Sequence, residues 1–174
     1  GRLTITDSTL SGNAANVGAG LFNGQFAHAS LVGVTVSGND ASGVGGGIAS
    51  IGVLSLSNVT LSGNTAGGGG GGLLTDVAGS ITHLRNVTIF GNHAGLTAGN
   101  ADTGGGYLKG TGGTVTLHNT LIAGNLFGTG GGTPDDLGNS TGFGGNSHNF
   151  IGVATTALTD GVNGHGVIAA GQGH

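Results

Sequence analysis

Leu3-Thr4-Ile5-Thr6-Asp7-Ser8-Thr9-Leu10-Ser11-Gly12-Asn13 is the stretch that decides the fold. Apolar residues alternate with hydroxyl residues on both sides of Asp7, and the phase of the alternation shifts around it. A period of two marks a β-strand with one buried face. The closing Gly-Asn pair returns in Ser37-Gly38-Asn39, Ser62-Gly63-Asn64, Phe90-Gly91-Asn92 and Ala123-Gly124-Asn125. The glycines stand 26, 25, 28 and 33 residues apart (12→38→63→91→124). A second motif follows the first four of them: Gly18-Ala19-Gly20-Leu21, Gly45-Gly46-Gly47-Ile48, Gly70-Gly71-Gly72-Leu73 and Gly104-Gly105-Gly106-Tyr107. Two motifs in fixed order at a shared period identify an internal repeat.

Aligning the repeats on the motif glycine produces columns. Two residues before it stand Leu10, Val36, Leu61, Ile89 and Ile122, and four before stand Ser8, Val34, Val59, Val87 and Thr120. Seven before are Ile5, Leu31, Leu56, Leu84 and Leu117, and nine before are Leu3, Ala29, Leu54, Thr82 and Val115. Between these two pairs of columns lie Asp7, Gly33, Asn58, Asn86 and Asn119, residue types that tolerate the left-handed conformation of a sharp corner. The Gly-Asn pair makes a second corner. The glycine-rich stretch leads into a third short strand carrying Leu21, Ile48, Leu73 or Tyr107. Three short strands and three corners in about 25 residues describe one coil of a parallel β-helix, and stacking coils about 4.8 Å apart builds a narrow core of Leu, Ile and Val ladders. The expected architecture is all-β, a right-handed parallel β-helix (solenoid) of about five coils over residues 1–151. The coils run about 1–26, 27–51, 52–78, 79–112 and 113–151. Residues 152–174 are expected to form an irregular C-terminal segment with a capping or inter-subunit role. The two longest coils place insertions at 95–103 and 126–147.

Composition agrees. Of 174 residues 44 are Gly and one is Pro, without the strict triplet period and abundant Pro of collagen. With 36% hydrophobic and 6% charged residues the chain is too apolar for a disordered linker. Three basic residues and a net charge of −4 argue against a nucleic-acid partner. No apolar run is long enough for a membrane helix. The absence of Cys removes disulfides, thiolate metal sites and thiol catalysis together.

The Leu3–Asn13 stretch followed by a Gly-Gly-Gly-Ile motif resembles the right-handed parallel β-helix repeats of large bacterial surface and secreted proteins, similar to polymorphic outer-membrane-protein and pectate-lyase-like solenoids. Thr133-Pro134-Asp135-Asp136-Leu137 followed by Ser147-His148-Asn149-Phe150-Ile151-Gly152 resembles the closing coil of such repeat stretches. The resemblance implies an extracellular or cell-surface location, bacterial origin, and a fold that carries lyases, hydrolases, adhesins and plain scaffolds.

Function is read from what the columns leave over. Asn13, Asn39, Asn64, Asn92 and Asn125 are expected to stack as a structural asparagine ladder. Asn58, Asn86 and Asn139 head glycosylation sequons, the first two being explained by their place at repeat corners. Thr9, Thr35, Thr60 and Thr88 with Ser11, Ser37 and Ser62 form an outward hydroxyl array, the basis of a weaker ice-binding alternative. Phe90, Leu121 and Ala123 interrupt it. A polysaccharide lyase needs carboxylates to hold a cation and a basic proton acceptor. The one polar cluster for a carbohydrate-active or carbohydrate-binding site is His83, Arg85 and His118, beside Thr116, with no Asp in the same outward columns. No metal-binding spacing and no cofactor motif is present, and the scarcity of charge argues against an enzyme. The leading expectation is therefore a structural solenoid that stacks end to end into a filament. Its own ends, Leu3, Thr4 and Ile5 on one side and Val167 and Ile168 on the other, would meet either another copy head to tail or neighbouring domains of a longer parent chain. An acidic polysaccharide is the alternative partner.

Overall fold

A computed structural model describes residues 1–97, 103–138 and 147–153, together with the backbone of a strand at 166–168. The first coil holds β1 (Arg2–Thr6), β2 (Thr9–Ser11), β3 (Ala14–Val17) and β4 (Leu21–Asn23). The second holds β5 (His28–Val32), β6 (Thr35–Ser37), β7 (Asp40–Val44) and β8 (Ile48–Ser50). The third holds β9 (Val53–Ser62), β10 (Thr65–Ala66) and β11 (Leu73–Thr75). The fourth holds β12 (Ile81–Phe90), β13 (His93–Ala94) and β14 (Tyr107–Lys109). The fifth holds β15 (Thr114–His118), β16 (Leu121–Ala123), β17 (Leu126–Phe127), β18 (Thr133–Pro134) and β19 (Leu137–Gly138). β20 (Phe150–Val153) and β21 (Gly166–Ile168) follow. There is no helix among the described residues, and so none long and apolar enough to cross a membrane.

Equivalent strands of successive coils pair in parallel and form three sheets running the length of the stack. The first follows the order β1-β5-β9-β12-β16-β20-β21, with β2, β6 and β15 beside that path. The second runs β18-β17-β13-β10-β7-β3 and the third β19-β14-β11-β8-β4. The chain is thus a β-solenoid of about five turns. The register matches the sequence columns: Leu3 pairs with Ala29, Ala29 with Leu54, Leu54 with Thr82 and Thr82 with Val115. The inward columns form one core, in which Leu31, Val36, Ile48, Leu61, Ile89, Leu117 and Ile122 are fully buried. Each such side chain stabilises the fold by about 1.5–3 kcal/mol relative to exposure.

The corners fall where the sequence placed them. Asp7, Asn58, Asn86 and Asn119 have φ of 46°, 54°, 53° and 51°, and Gly33 has 66°. These residues bend the first sheet without dividing it: in β9 and β12 a single ten-residue strand runs straight through the corner. The structure also adds a strand that the repeat pattern did not predict, directly after each ladder Asn: β3, β7, β10, β13 and β17. Ala41, Ala66 and Ala94 are its buried residues, in register with an exposed Ala15 and a half-buried Phe127, so it carries no apolar alternation strong enough to read. Regular structure also continues past residue 151, because β20 pairs with β16 and β21 with β20. Neither strand follows a Gly-Asn motif at the repeat spacing.

Candidate functional site

The asparagine ladder forms as expected, and it has a direction. The amide Nδ2 of Asn13 donates to Asn39 Oδ1, Asn39 to Asn64, Asn64 to Asn92 and Asn92 to Asn125, each at 2.9 Å. The backbone N–H of each donor residue reaches the same oxygen at 2.9–3.1 Å. The second amide hydrogen of Asn39, Asn64, Asn92 and Asn125 goes back one coil, to the carbonyls of Leu10, Val36, Leu61 and Ile89, each at 3.0 Å. From Asn39 to Asn125 these amides are fully buried, and full satisfaction is what makes their burial tolerable.

The two ends of the ladder differ. At the C-terminal end Asp136 takes the place of a sixth asparagine. Its Oδ1 accepts from both Asn125 N and Asn125 Nδ2 at 2.7 Å, and its Oδ2 accepts from Val153 N at 2.7 Å. A carboxylate accepts only, so it ends a chain of amide donors. Beside it, buried Asp135 accepts from Gly104 N at 2.9 Å through Oδ2, while its Oδ1 has no hydrogen-bond partner. Burial pushes the Asp135 carboxyl above the ordinary carboxylate range, partly offset by the Gly104 N–H and reinforced by the Asp136 charge. The second sheet ends here in β18, an antiparallel edge containing Pro134. At the N-terminal end nothing among the described residues donates to Asn13 Oδ1, and Asn13 is exposed.

The repeat columns reveal the ladder but not its terminator. Asp136 lies 11 residues after Asn125, far short of the repeat spacing, so the columns do not contain it. A second, shorter ladder runs along the outer corner, where Asn86 Nδ2 donates to Asn58 Oδ1 at 2.9 Å and Asn119 Nδ2 to Asn86 Oδ1 at 2.8 Å. The sequon at Asn139 lies outside the described residues, as does Asp102.

The first sheet does bring His83, Arg85 and His118 together. His83 pairs in register with Thr116, and Arg85 with His118. His83 Nδ1 lies 2.7 Å from Thr116 Oγ1, and His118 Nδ1 lies 2.6 Å from Ser147 Oγ. The described carboxylates are elsewhere: Asp7 at the corner of the first coil, Asp40 on β7, Asp76 after β11, and Asp135 and Asp136 before β19. The cluster is a basic patch with anchored rings, and no carboxylate among the described residues joins it. The hydroxyl array also forms, with Thr9, Thr35, Thr60 and Thr88 in one register line that ends at Leu121. The only lysine, Lys109, is buried and donates to the carbonyls of Gly110 at 3.2 Å and Gly112 at 3.1 Å. Burial lowers its pKa, with Asp76 opposing the shift. Among the described residues no group of three or more His, Asp or Glu gathers to hold a metal ion.

The stacked parallel coils define a parallel β-helix repeat protein. Beyond that class, no protein-family model, curated protein or solved structure matches the chain.

Proposed function

We propose that the protein is a structural scaffold, a rod segment of a bacterial extracellular or cell-surface β-solenoid that lengthens by stacking further coils on its first coil. The observation that supports this reading is the unfinished edge of that coil. β1 and β4 are end strands of their sheets, and β3 is the end strand of its own. Leu3 is 43% exposed, and Ile5, Leu10 and Leu21 are only partly buried, whereas their counterparts in the second coil, Ala29, Leu31, Val36 and Ile48, are 4% exposed or less. An open strand edge over a half-covered core is a surface that natural sheets pair or block. Both a head-to-tail copy and a neighbouring coil of a longer chain meet this need at the level of strand pairing.

The test is a chain carrying a second copy of residues 27–51 directly before Gly1, which places the added coil in register because Gly1 and Gly52 are equivalent. The melting temperature is expected to rise by at least about 4 °C, the shift that roughly 1–2 kcal/mol produces at this size. Hydrogen exchange at β1 slows by about tenfold as its amides lose their free edge. An added coil that changes neither quantity overturns the reading.

The grouping of His83, Arg85 and His118 on one outer face favours a second reading, binding or cleavage of an acidic polysaccharide. Incubation with such polymers is then expected to give retention on the protein or ultraviolet-absorbing unsaturated products. The absence of both rejects it.

A further inference from the structure

The corner between the third sheet and the first holds a slot that core packing does not explain. Residues 24–27 join β4 to β5, residues 51–52 join β8 to β9, and residues 76–80 join β11 to β12. The two-residue corner is recessed between two longer ones, and the notch over it is a cavity of about 240 Å³. Ile51 and Val53 form its floor, Phe26 one wall, and Ala78 and Gly79 the other. The floor is tied down: Asn23 Nδ2 donates to Ser50 Oγ and to Val53 O, and Ile51 N donates to Asn23 O, each at 2.9 Å. The walls belong to corners two coil spacings apart, about 10 Å, so van der Waals contact on both sides leaves room for a single ring.

Two residues of these corners break the local rules. Phe26 has a φ of 61° and Val77 a φ of 79°. Every other non-glycine residue with positive φ among the described residues is Asp, Asn or His, types that tolerate the left-handed region. Phe26 is also 84% exposed, so neither the core nor the turn selects a phenylalanine there. Backbone strain of this kind collects where a protein meets a ligand. We propose that the slot binds one pyranose ring of a neutral glycan, stacked on Phe26. The C–H face of such a sugar is apolar and weakly positive, and it meets the negative face of the phenyl ring. Its edge hydroxyls reach the Gln25 amide and the His28 ring at the rim, neither of which has a side-chain hydrogen-bond partner among the described residues. A side-chain amide and a neutral imidazole each donate and accept, as hydroxyls require. No carboxylate, lysine or arginine lines the slot, which separates its ligand from the acidic polymer considered for His83, Arg85 and His118. The site depends neither on that reading nor on stacking of coils.

Backbone amide shifts in NMR spectra of the full chain, titrated with tetrasaccharides of neutral β-glucan, mannan and galactan, provide the test. At least one tetramer is expected to shift the amides of residues 25–28, 51–53 and 78–79 and to saturate with a dissociation constant of about 1 mM. Phe26→Asn removes the ring and suits the left-handed backbone. It is expected to weaken binding by about tenfold or more and to raise the melting temperature by about 2–4 °C. Phe90→Ala, on the first sheet, is expected to leave binding unchanged. A tetramer that binds Phe26→Asn as well as the wild type, or a melting temperature that falls in this variant, overturns the proposal. So does silence toward all three tetramers, or a preference for tetragalacturonate or adenosine at the same amides.

Discussion

The stability of this molecule at the scale of single residues is carried by where amides sit in the ladder. Asn64 accepts two hydrogens from Asn39 and donates to Asn92 Oδ1 and Val36 O, all of it buried. Asn64→Ala leaves those donors and acceptors unpaired in the interior, at about 1–3 kcal/mol for each group stranded. A loss of roughly 3–5 kcal/mol is expected in urea unfolding. Asn13→Ala removes one side-chain bond at an exposed end and is expected to cost about 1 kcal/mol or less. Equal losses at the two positions would contradict the ladder as a source of stability. The column of asparagines was legible in the sequence because it recurs with the repeat. Its terminator was not, because Asp136 reaches the same corner from a loop, and nothing in a Pro-Asp-Asp turn announces that one carboxylate will point at a buried amide.

At the scale of elements, the glycine-rich approaches to the third sheet set the distance between coils. A Cβ on Gly71 would collide with the carbonyls of Gly105 and His93, both of the next coil. Gly71→Ala is therefore expected to push coils apart and to destabilise by about 3 kcal/mol, by the logic of overpacking. Gly63 is glycine for a different reason. Its φ is +61° and nothing lies within 4 Å of a Cβ there, so Gly63→Ala carries only the left-handed backbone penalty of about 1–2 kcal/mol. Thermal melts of the two variants distinguish crowding from conformation, and a smaller loss at Gly71 would refute the close-approach argument. The strands with Leu, Val and Ile on alternate positions were readable for the reason that the core is. The β3-type strands were not, since Ala is a poor strand signal and only their place between two corners holds them in a sheet. His83, Arg85 and His118 were readable as neighbours because register follows from the columns.

For the whole molecule, acid and base enter mainly through the closed end. Asp135 is raised in the folded state, so the fold keeps its proton to a higher pH than the unfolded chain, whose carboxyl titrates near about 3.9. The stability due to this group is therefore greatest below about pH 4 and is lost as pH rises through the folded value. Melting temperatures measured from about pH 4 to 7 are expected to fall for the wild type relative to Asp135→Asn, and parallel curves would contradict the assignment. The direction of the ladder has a consequence on the same scale. Strand dipoles nearly cancel in sheets, but five side-chain amides pointing the same way do not. The inner ladder is a row of aligned dipoles with its positive pole at Asn125, where the Asp136 carboxylate sits, and its negative pole at Asn13. The amides of the outer corner, Asn119, Asn86 and Asn58, point the opposite way, so the two corners of the rod carry opposed dipoles and only the inner row meets a fixed counter-charge, at Asp136.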